Sequence, residues 1–340
     1  MGTSLTLVED SLTQADTFEL VSRWVYPERV PRHSSVFDIS MGDLLTHTSG
    51  LQASLPIEPY QYYGSRHLYA ASYDDRYSIP VAEELYLQET YLDSIWNVTK
   101  SLRRDTLGYR YSCVNMILMQ RAIDSINQRP IDGYVTERFY QPLGLQTICY
   151  NPRELFEEDR LVPTASDRWR GQLLCGTVHD PTAALLGGVS GNAGLFSNAN
   201  DLAILFQMLL NGGEYGGRRY LADSTVQLFT QRQRGHRGFG FDKPPRNSDY
   251  IVAQSAPAES YGHTGFTGTC VWVDPEHDLV YVFLSNRIHP SVKNYRINEL
   301  RVRQRIHQVI YESMGIPPRF REPVRPVLPQ IAPVFLAATD

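Results

Sequence analysis

The sequence predicts an α+β fold in which an antiparallel sheet is flanked by helices. Two β-branched and aromatic runs, at 269–274 and 279–285, are separated by a short turn with a proline and are typical of a β-hairpin. A helical apolar period follows over 292–313, and two more occur over 112–127 and 200–211. We expect the helix over 292–313 to pack on the sheet, with one apolar stripe formed by Ile297, Leu300, Ile306, Val309 and Ile310.

Composition excludes several classes of function. The chain has 340 residues, 42% apolar, with 32 basic and 37 acidic residues and a net charge of −5, so there is no basic excess for binding nucleic acid. No run of 18 apolar residues occurs, which predicts no membrane span. The first residues lack the charged and apolar pattern of a secretory signal. Four dispersed cysteines predict free thiols rather than a disulfide framework or zinc site.

The sequence predicts one domain over 1–316, followed by a proline-rich, extended tail over 317–340. This tail contains six prolines up to Pro333. A short helix is expected over 14–30 and another over 39–46. At 200–211, Asn200 or Asp201 is expected to cap the helix.

Four segments carry residues suited to chemistry: 43–51, 109–113, 187–197 and 262–268. The last contains His263-Thr264-Gly265 between glycines at the start of a strand, where successive amide N–H groups could hold an oxyanion. The alternative is a glycine-rich turn that feeds the hairpin.

Single residues in the other segments are open to two interpretations. Tyr111 is either a proton-transfer group, which needs cations to lower its pKa from about 10, or an aromatic residue packed at a helix start. Ser190 is either part of a loop lining a cleft or of a structural turn. His47 is either a catalyst or a hydrogen-bonded structural histidine.

Taken together and in order, the four segments resemble the serine β-lactamase and penicillin-binding-protein family, in its class C-like and esterase-like branch. Residues 44–51 match its Leu-Leu-Thr-His-Thr-Ser-Gly-Leu segment, and residues 187–197 match its Gly-Gly-Val-Ser-Gly-x-Ala-Gly-Leu-Phe-Ser segment. Tyr111 matches the tyrosine of Tyr-x-Asn, whereas Cys113 stands in place of the asparagine. The 176–197 region most resembles members fused behind a glycoside hydrolase domain.

The resemblance implies a β-lactamase/DD-peptidase-like fold, with an antiparallel sheet and a mainly helical lobe from about 40 to 210. It places the site between the two, with Tyr111 and His263 facing each other as the catalytic pair. Tyr111 would shuttle protons, and the Phe266 N–H would be one oxyanion donor. The expected substrate-binding residues are Cys113, Thr264, Gly265 and Phe266.

The family's nucleophile motif, Ser-x-x-Lys, is absent. The only lysines are Lys100, Lys243 and Lys293, and none has a serine three residues before it. Ser11 is followed by Gln14 at the lysine position, and it lies 44 − 11 = 33 residues before Leu44, closer than is typical of the family. We therefore expect the nucleophile helix and the first strands to lie upstream or to have been lost.

The resemblance predicts hydrolysis of an amide or ester through an acyl-serine, with a peptidoglycan-type peptide, β-lactam or small ester as substrate. Without the motif the chain is expected to be inactive as it stands, unless an upstream segment or partner chain completes the sheet. The alternatives are a non-catalytic ligand-binding or regulatory pseudoenzyme and a fragment of a larger fused hydrolase. No cofactor or metal is expected. The family suggests the bacterial periplasm or cell envelope.

Overall fold

A computed structural model describes residues 39–57, 66–105, 108–245 and 251–319. The helix expected over 14–30 and the near-motif at Ser11 lie outside these residues, as does the tail beyond 319. None of the described helices combines the length and apolar character needed to cross a membrane.

The described residues form nine α-helices and ten strands. The helices are α1 (Met41–Leu45), α2 (Tyr91–Lys100), α3 (Cys113–Asn127), α4 (Ile131–Val135), α5 (Pro181–Leu185), α6 (Ala199–Leu210), α7 (Asp223–Thr230), α8 (Arg296–Glu299) and α9 (Val302–Ser313). The strands are β1 (Tyr69–Ala70), β2 (Ile79–Ala82), β3 (Leu85–Leu87), β4 (Pro163–Asp167), β5 (Gln172–Cys175), β6 (Glu214–Tyr215), β7 (Arg218–Arg219), β8 (Tyr261–Thr264), β9 (Cys270–Asp274) and β10 (Leu279–Phe283).

The main sheet has the order β10-β9-β8 and is antiparallel throughout. The predicted hairpin is confirmed, with Tyr281 opposite Trp272 and Phe283 opposite Cys270. Strand β8 runs along the other side of β9, with His263 opposite Val271. Because side chains alternate between the faces of a strand, this register places His263 on the same face as Val271.

The two faces of the main sheet pack against different helices. Val271 and Val273 belong to the large core of the helical lobe, and α6 packs on this face. Trp272 and Tyr281 point the other way and form a second cluster with Tyr311 of α9. The sheet is therefore the middle layer between the lobe and α9, which confirms the α+β fold.

The helical lobe contains α1 to α6. Of these, α1, α3 and α6 lie where helices were predicted, whereas α2, α4 and α5 were not predicted. The lobe also contains two small antiparallel sheets, β1-β3-β2 and β4-β5, in regions where the sequence showed no clear period. The cap of α6 differs from the prediction. Asn198, rather than Asn200 or Asp201, accepts the hydrogen bond from the Asp201 N–H. Asp201 instead turns inward, where its Oδ2 accepts hydrogen bonds from the backbone of Gln146 and Thr147.

The carboxy-terminal helix is shorter than predicted and presents a different face to the sheet. Residues 292–313 contain α8 and α9, with Arg301 between them at a φ of 50°. The buried residues of α9 are Gln304, His307 and Tyr311. The predicted stripe was wrong in part: Leu300 is 51%, Ile306 41% and Val309 61% exposed, whereas Ile310 packs against the second cluster.

Polar and aromatic groups hold α9 on the sheet together with Ile310. The buried Asp274 carboxylate, at the end of β9, accepts hydrogen bonds from the Tyr311 hydroxyl at 2.6 Å and from His277 Nδ1 at 2.7 Å. His307 stacks on the Tyr281 ring, with 4.4 Å between ring centroids. Burial lowers the pKa of His307 to about 4.

We predict that Leu118→Ala lowers the free energy of unfolding by about 2–5 kcal/mol, because it leaves a cavity in the centre of the lobe. Leu118 is fully buried on α3. The matched control, Val309→Ala, removes an exposed side chain and is expected to change stability by less than about 0.5 kcal/mol. Urea denaturation followed by circular dichroism measures both, and equal effects would contradict the described core.

We also predict that His307 makes stability fall in acid. Its folded pKa of about 4 lies below the ordinary value of 6.5, so the unfolded chain takes up the proton first as the pH falls. The stabilisation is complete above pH 6.5 and is lost as the pH falls through 4; one pKa unit corresponds to about 1.4 kcal/mol. His307→Gln should flatten the decline in stability over this window by about 3 kcal/mol, measured by urea denaturation across the pH range.

Candidate active site

His47 joins two of the four sequence segments. It follows α1 with a φ of 56°, which turns the chain sharply after the helix. Its Nδ1 accepts a hydrogen bond from the Ser112 backbone N–H at 3.2 Å and contacts Asn115 Nδ2 at 3.1 Å. A backbone N–H can only donate, so Nδ1 carries no proton and the amide also donates to it. His47 is neutral, and burial, followed by the charges of Arg237 and two histidines, lowers its pKa well below 6.5.

Further hydrogen bonds fix the same junction. The Ser49 hydroxyl donates to Asn115 Oδ1 at 2.7 Å inside the protein, and the Arg110 N–H donates to the His47 carbonyl at 2.8 Å. The Ser112 hydroxyl donates to the Gln52 carbonyl at 2.6 Å. The segment 47–52 thus holds the start of α3 in place, and of the two interpretations of His47 the geometry matches the structural one.

Tyr111 lies on this fixed junction and faces β8. Its ring centroid is 4.4 Å from that of His47 and 6.0 Å from that of His263. The structure therefore brings together the two residues predicted as the catalytic pair. Partial desolvation raises the pKa of Tyr111 above its ordinary value, Cys113 adds to this increase, and the charge of Arg237 opposes it. The described surroundings alone keep the phenol protonated.

His263 is held by two charged residues that the sequence did not single out. Its Nδ1 is 2.7 Å from the Thr264 carbonyl oxygen, and its Nε2 is 3.4 Å from Arg237 Nη1. Arg237 is almost fully buried and forms a salt bridge with Asp242. The backbone of Asp242 forms two hydrogen bonds with that of Gly262 at the start of β8, and this pairing places Asp242 next to the site. Burial and Arg237 together lower the pKa of His263, and Asp242 acts in the opposite direction.

The loop after β8 presents the Phe266 amide. The Gly265 N–H donates to the Thr269 carbonyl at 2.7 Å, and a side chain at Gly265 would collide with Thr269 Oγ1. None of the described residues accepts a hydrogen bond from the Phe266 N–H. Arg287 Nε donates to the Phe266 carbonyl at 2.9 Å and so fixes the peptide on its other side. The Phe266 amide is thereby available as an oxyanion donor.

The Phe266 side chain forms part of a stack of planar groups at the rim of the cleft. It is 53% exposed and lies parallel to His179, with 5.6 Å between ring centroids. The Arg287 guanidinium lies 4.7 Å from the Phe266 ring and 5.0 Å from that of Tyr295. These contacts hold the loop in place.

Cys113 is the first residue of α3 and lies beside the loop 187–197. Burial and the nearby Asp180 carboxylate raise the pKa of its thiol to about 12, and the Asn192 side-chain amide acts in the opposite direction. Since the thiolate is the reactive form, Cys113 is a poor nucleophile at neutral pH. The Ser190 hydroxyl donates to Asn192 Oδ1 at 2.7 Å, so the amide nitrogen of Asn192 points away from Ser190. The chain thus places an amide near the position where the family has an asparagine.

The glycines of the loop 187–197 allow this loop to lie close to α3. A side chain at Gly191 would lie 2.1 Å from the Met116 carbonyl oxygen, and one at Gly194, which has a φ of 108°, would lie 2.1 Å from the Gly188 carbonyl oxygen. Ser190 is buried in this loop. Across the described ranges, no three His, Cys, Asp or Glu side chains are grouped so as to hold a metal ion.

Comparison with known proteins identifies the family. The model of the Beta-lactamase family matches residues 14–304, and the chain belongs to this family. A relative in Salmonella gallinarum with the provisional name D-alanyl-D-alanine carboxypeptidase is 36% identical over 204 residues. The match covers 55% of this chain and 47% of that relative, so the chain spans about half the length of the relatives of this group.

Solved structures share the fold at low sequence identity. The octameric penicillin-binding protein homologue from Pyrococcus abyssi has a TM-score of 0.58 at 17% identity, covering 93% of this chain and 64% of that one. The D-amino acid amidase from Ochrobactrum anthropi SV3 has a TM-score of 0.57 at 16% identity, covering 92% and 81%. These similarities establish the β-lactamase/penicillin-binding-protein fold.

We predict that Asn115→Ala destabilises the protein by about 1–3 kcal/mol, because Ser49 loses its buried acceptor and His47 one of its two donors. The matched control is Asn127→Ala at the other end of α3, where the amide donates to the Ile123 carbonyl of its own helix. Thermal unfolding gives the difference. A loss at Asn115 no greater than that at Asn127 would show that the junction does not depend on these bonds.

Proposed function

We propose that the chain forms the substrate-binding and proton-transfer side of an acyl-serine hydrolase that cleaves an amide or ester. The observation that carries this proposal is the position of Tyr111 and His263, which face each other with 6.0 Å between ring centroids. The Phe266 amide lies on the same strand-to-loop segment as His263. Groups for proton transfer, substrate contact and oxyanion stabilisation thus lie together at one site.

In this proposal the reacting serine and its lysine come from an upstream segment or a partner chain. The serine oxygen attacks the substrate carbonyl, and the negative charge that develops on the carbonyl oxygen is stabilised by the Phe266 N–H. Tyr111 passes the serine proton to the leaving group. The pKa of Tyr111 is raised in its present surroundings, so this role requires the positive charge of an added lysine beside the phenol.

The edge strand of the main sheet supports the proposal that a further segment joins this chain. Among the described strands, β10 pairs only with β9. Leu284, which directly follows β10, is 38% exposed, and α9 carries exposed Ile306 and Val309. Unpaired strand edges next to exposed apolar groups are unusual on a free surface. A segment that adds strands to β10 and covers α9 would bury both features.

A second candidate is a non-catalytic module that binds a peptide or small acyl compound in the same cleft. The absence of Ser-x-x-Lys, the thiol of Cys113 and the raised pKa of Tyr111 favour this function. In that case the cleft would keep its shape and its donors without turnover. The two candidates differ in whether a serine nucleophile can be restored by addition of a second segment.

We predict that the chain alone forms no covalent adduct with a fluorescent fluorophosphonate or a fluorescent penicillin, because it has no activated serine. Co-expression with a segment that carries Ser-x-x-Lys and strands for the β10 edge should produce an adduct on the added serine. Tyr111→Phe in the same complex should lower the acylation rate by about 10²–10⁴-fold, the usual contribution of a proton-transfer group. Intact-mass spectrometry detects the adduct, and circular dichroism verifies folding.

A control variant introduces the Ser-x-x-Lys motif into this chain itself. Gln14→Lys creates Ser-x-x-Lys at Ser11, and we expect no adduct because the spacing to Leu44 is too short for the family geometry. A stoichiometric adduct on the unmodified chain would contradict the proposal, and the labelled residue would identify a different nucleophile. A folded complex that binds penicillin reversibly without acylation would favour the binding module.

A further inference from the structure

The loop 265–269 after β8 contains two internal hydrogen bonds that define its turn. The Gly265 N–H donates to the Thr269 carbonyl at 2.7 Å, and the Gly268 N–H donates to the Gly265 carbonyl at 3.0 Å. Gly268 has a φ of 104°, which favours glycine, and a side chain there would lie 2.3 Å from Ser285 Oγ. The loop is therefore packed directly against the residues that follow β10.

Arg287 binds this loop through both its backbone and its side chain. Its N–H donates to the Thr267 carbonyl at 2.9 Å, and its Nε donates to the Phe266 carbonyl at 2.9 Å. Its Nη1 donates to the carbonyls of Val292 and Asn294 at 3.3 and 2.8 Å. The side chain is buried, so one guanidinium ties the loop to a second loop inside the protein.

Arg303 binds the same loop from α9. Its Nη1 donates to the Thr269 carbonyl at 3.1 Å, and its Nη2 donates to Asn298 Oδ1 at 3.1 Å. Together, Arg287 and Arg303 donate to three carbonyls of the loop. Within the part of the chain that the structure describes, neither guanidinium forms an ion pair with a carboxylate. Both side chains therefore act as hydrogen-bond donors to neutral acceptors, which include the backbone of the loop.

These contacts fix the peptide that carries the Phe266 N–H. This peptide joins Gly265 to Phe266 and lies between two bonded groups, the Gly265 N–H on one side and the Phe266 carbonyl on the other. Rotation of the peptide plane would break one of these bonds. An oxyanion donor that is already oriented does not have to turn during the reaction, which is the source of its stabilising effect.

We infer that Arg287 and Arg303 are positioning residues for the oxyanion donor, because they hold the loop 265–269 so that the Phe266 N–H keeps one direction. This inference rests on the acyl-hydrolase proposal and adds to it two residues that act through the Phe266 amide. The inference requires the shape of the guanidinium as well as its charge. Arg287 donates from Nε and Nη1 in one plane, and the single ammonium of a lysine on a flexible chain cannot reproduce this pattern.

The first test measures the motion of the Phe266 amide in the full chain labelled with ¹⁵N-phenylalanine. The chain has 13 phenylalanines, and Phe266→Leu assigns the signal. We expect an order parameter of about 0.85 in the unmodified chain and below about 0.6 in Arg287→Lys. The amide of the buried Phe229 in α7 should stay rigid in both. The matched control Arg296→Lys changes an exposed arginine of α8 and should leave the Phe266 amide rigid.

The second test measures whether this order affects the reaction. In the co-expressed complex, Arg287→Lys should lower the rate of acylation by a fluorophosphonate about 10²-fold, as a misplaced reacting group does. Arg287→Ala should regain a rigid Phe266 amide and a faster acylation when ethylguanidinium is added. Ethylammonium, which has the charge without the planar donors, should restore neither.

A Phe266 amide that is mobile in the unmodified chain, or that stays rigid in Arg287→Lys, would overturn the inference. A mobile amide with an unchanged acylation rate would overturn it as well. If neither variant of Arg287 folds, Arg303→Lys decides by the same order parameter, which should fall. If the unmodified complex forms no adduct, the proposed function fails, whereas the order parameters still show whether the two arginines fix the amide.

Discussion

The cleft depends on the acceptor role of His47 Nδ1. This nitrogen receives hydrogen bonds from the Ser112 N–H and the Asn115 amide, although 65 and 68 residues separate them from His47 in the chain. Both donors are buried, and each would cost about 1–3 kcal/mol if left without a partner. The junction is thus held by the requirement that buried polar groups be paired, and it fixes where α3 begins.

The position of Tyr111 follows from that junction. The residue lies immediately before Ser112, so the bonds that hold the start of α3 also orient the phenol toward β8. On the other side, the register of β8 against β9 sets which face of the sheet His263 occupies. Hydrogen bonds in a loop therefore position Tyr111, and strand pairing independently positions His263. Arg237 and Asp242 then contribute the charges next to this pair.

Much of this arrangement could be predicted from local sequence patterns. The hairpin of β9 and β10, helix α3 and helix α6 follow from strong apolar periods, and the four segments indicated the site because their order resembles a known family. Most of the apolar stripe predicted for α9 points outward, because an apolar period alone does not show which face of a helix packs on the sheet. Here the polar contacts of Tyr311 and the stacking of His307 outweigh the apolar side chains. Arg237, Asp242 and Asn192 carry no local signature, since their roles arise only from tertiary contacts.

The protonation state of His47 tests the central claim most directly. In ¹⁵N-histidine spectra of the full chain, the account predicts a proton on Nε2 and an unprotonated, hydrogen-bonded Nδ1, unchanged as the pH falls below 6.5. The assignment follows from loss of the signal in His47→Gln. A proton on Nδ1, or an imidazolium at pH 7, would contradict the account, because the Ser112 N–H and the Asn115 amide would then have no acceptor and the junction that positions Tyr111 would not exist as described.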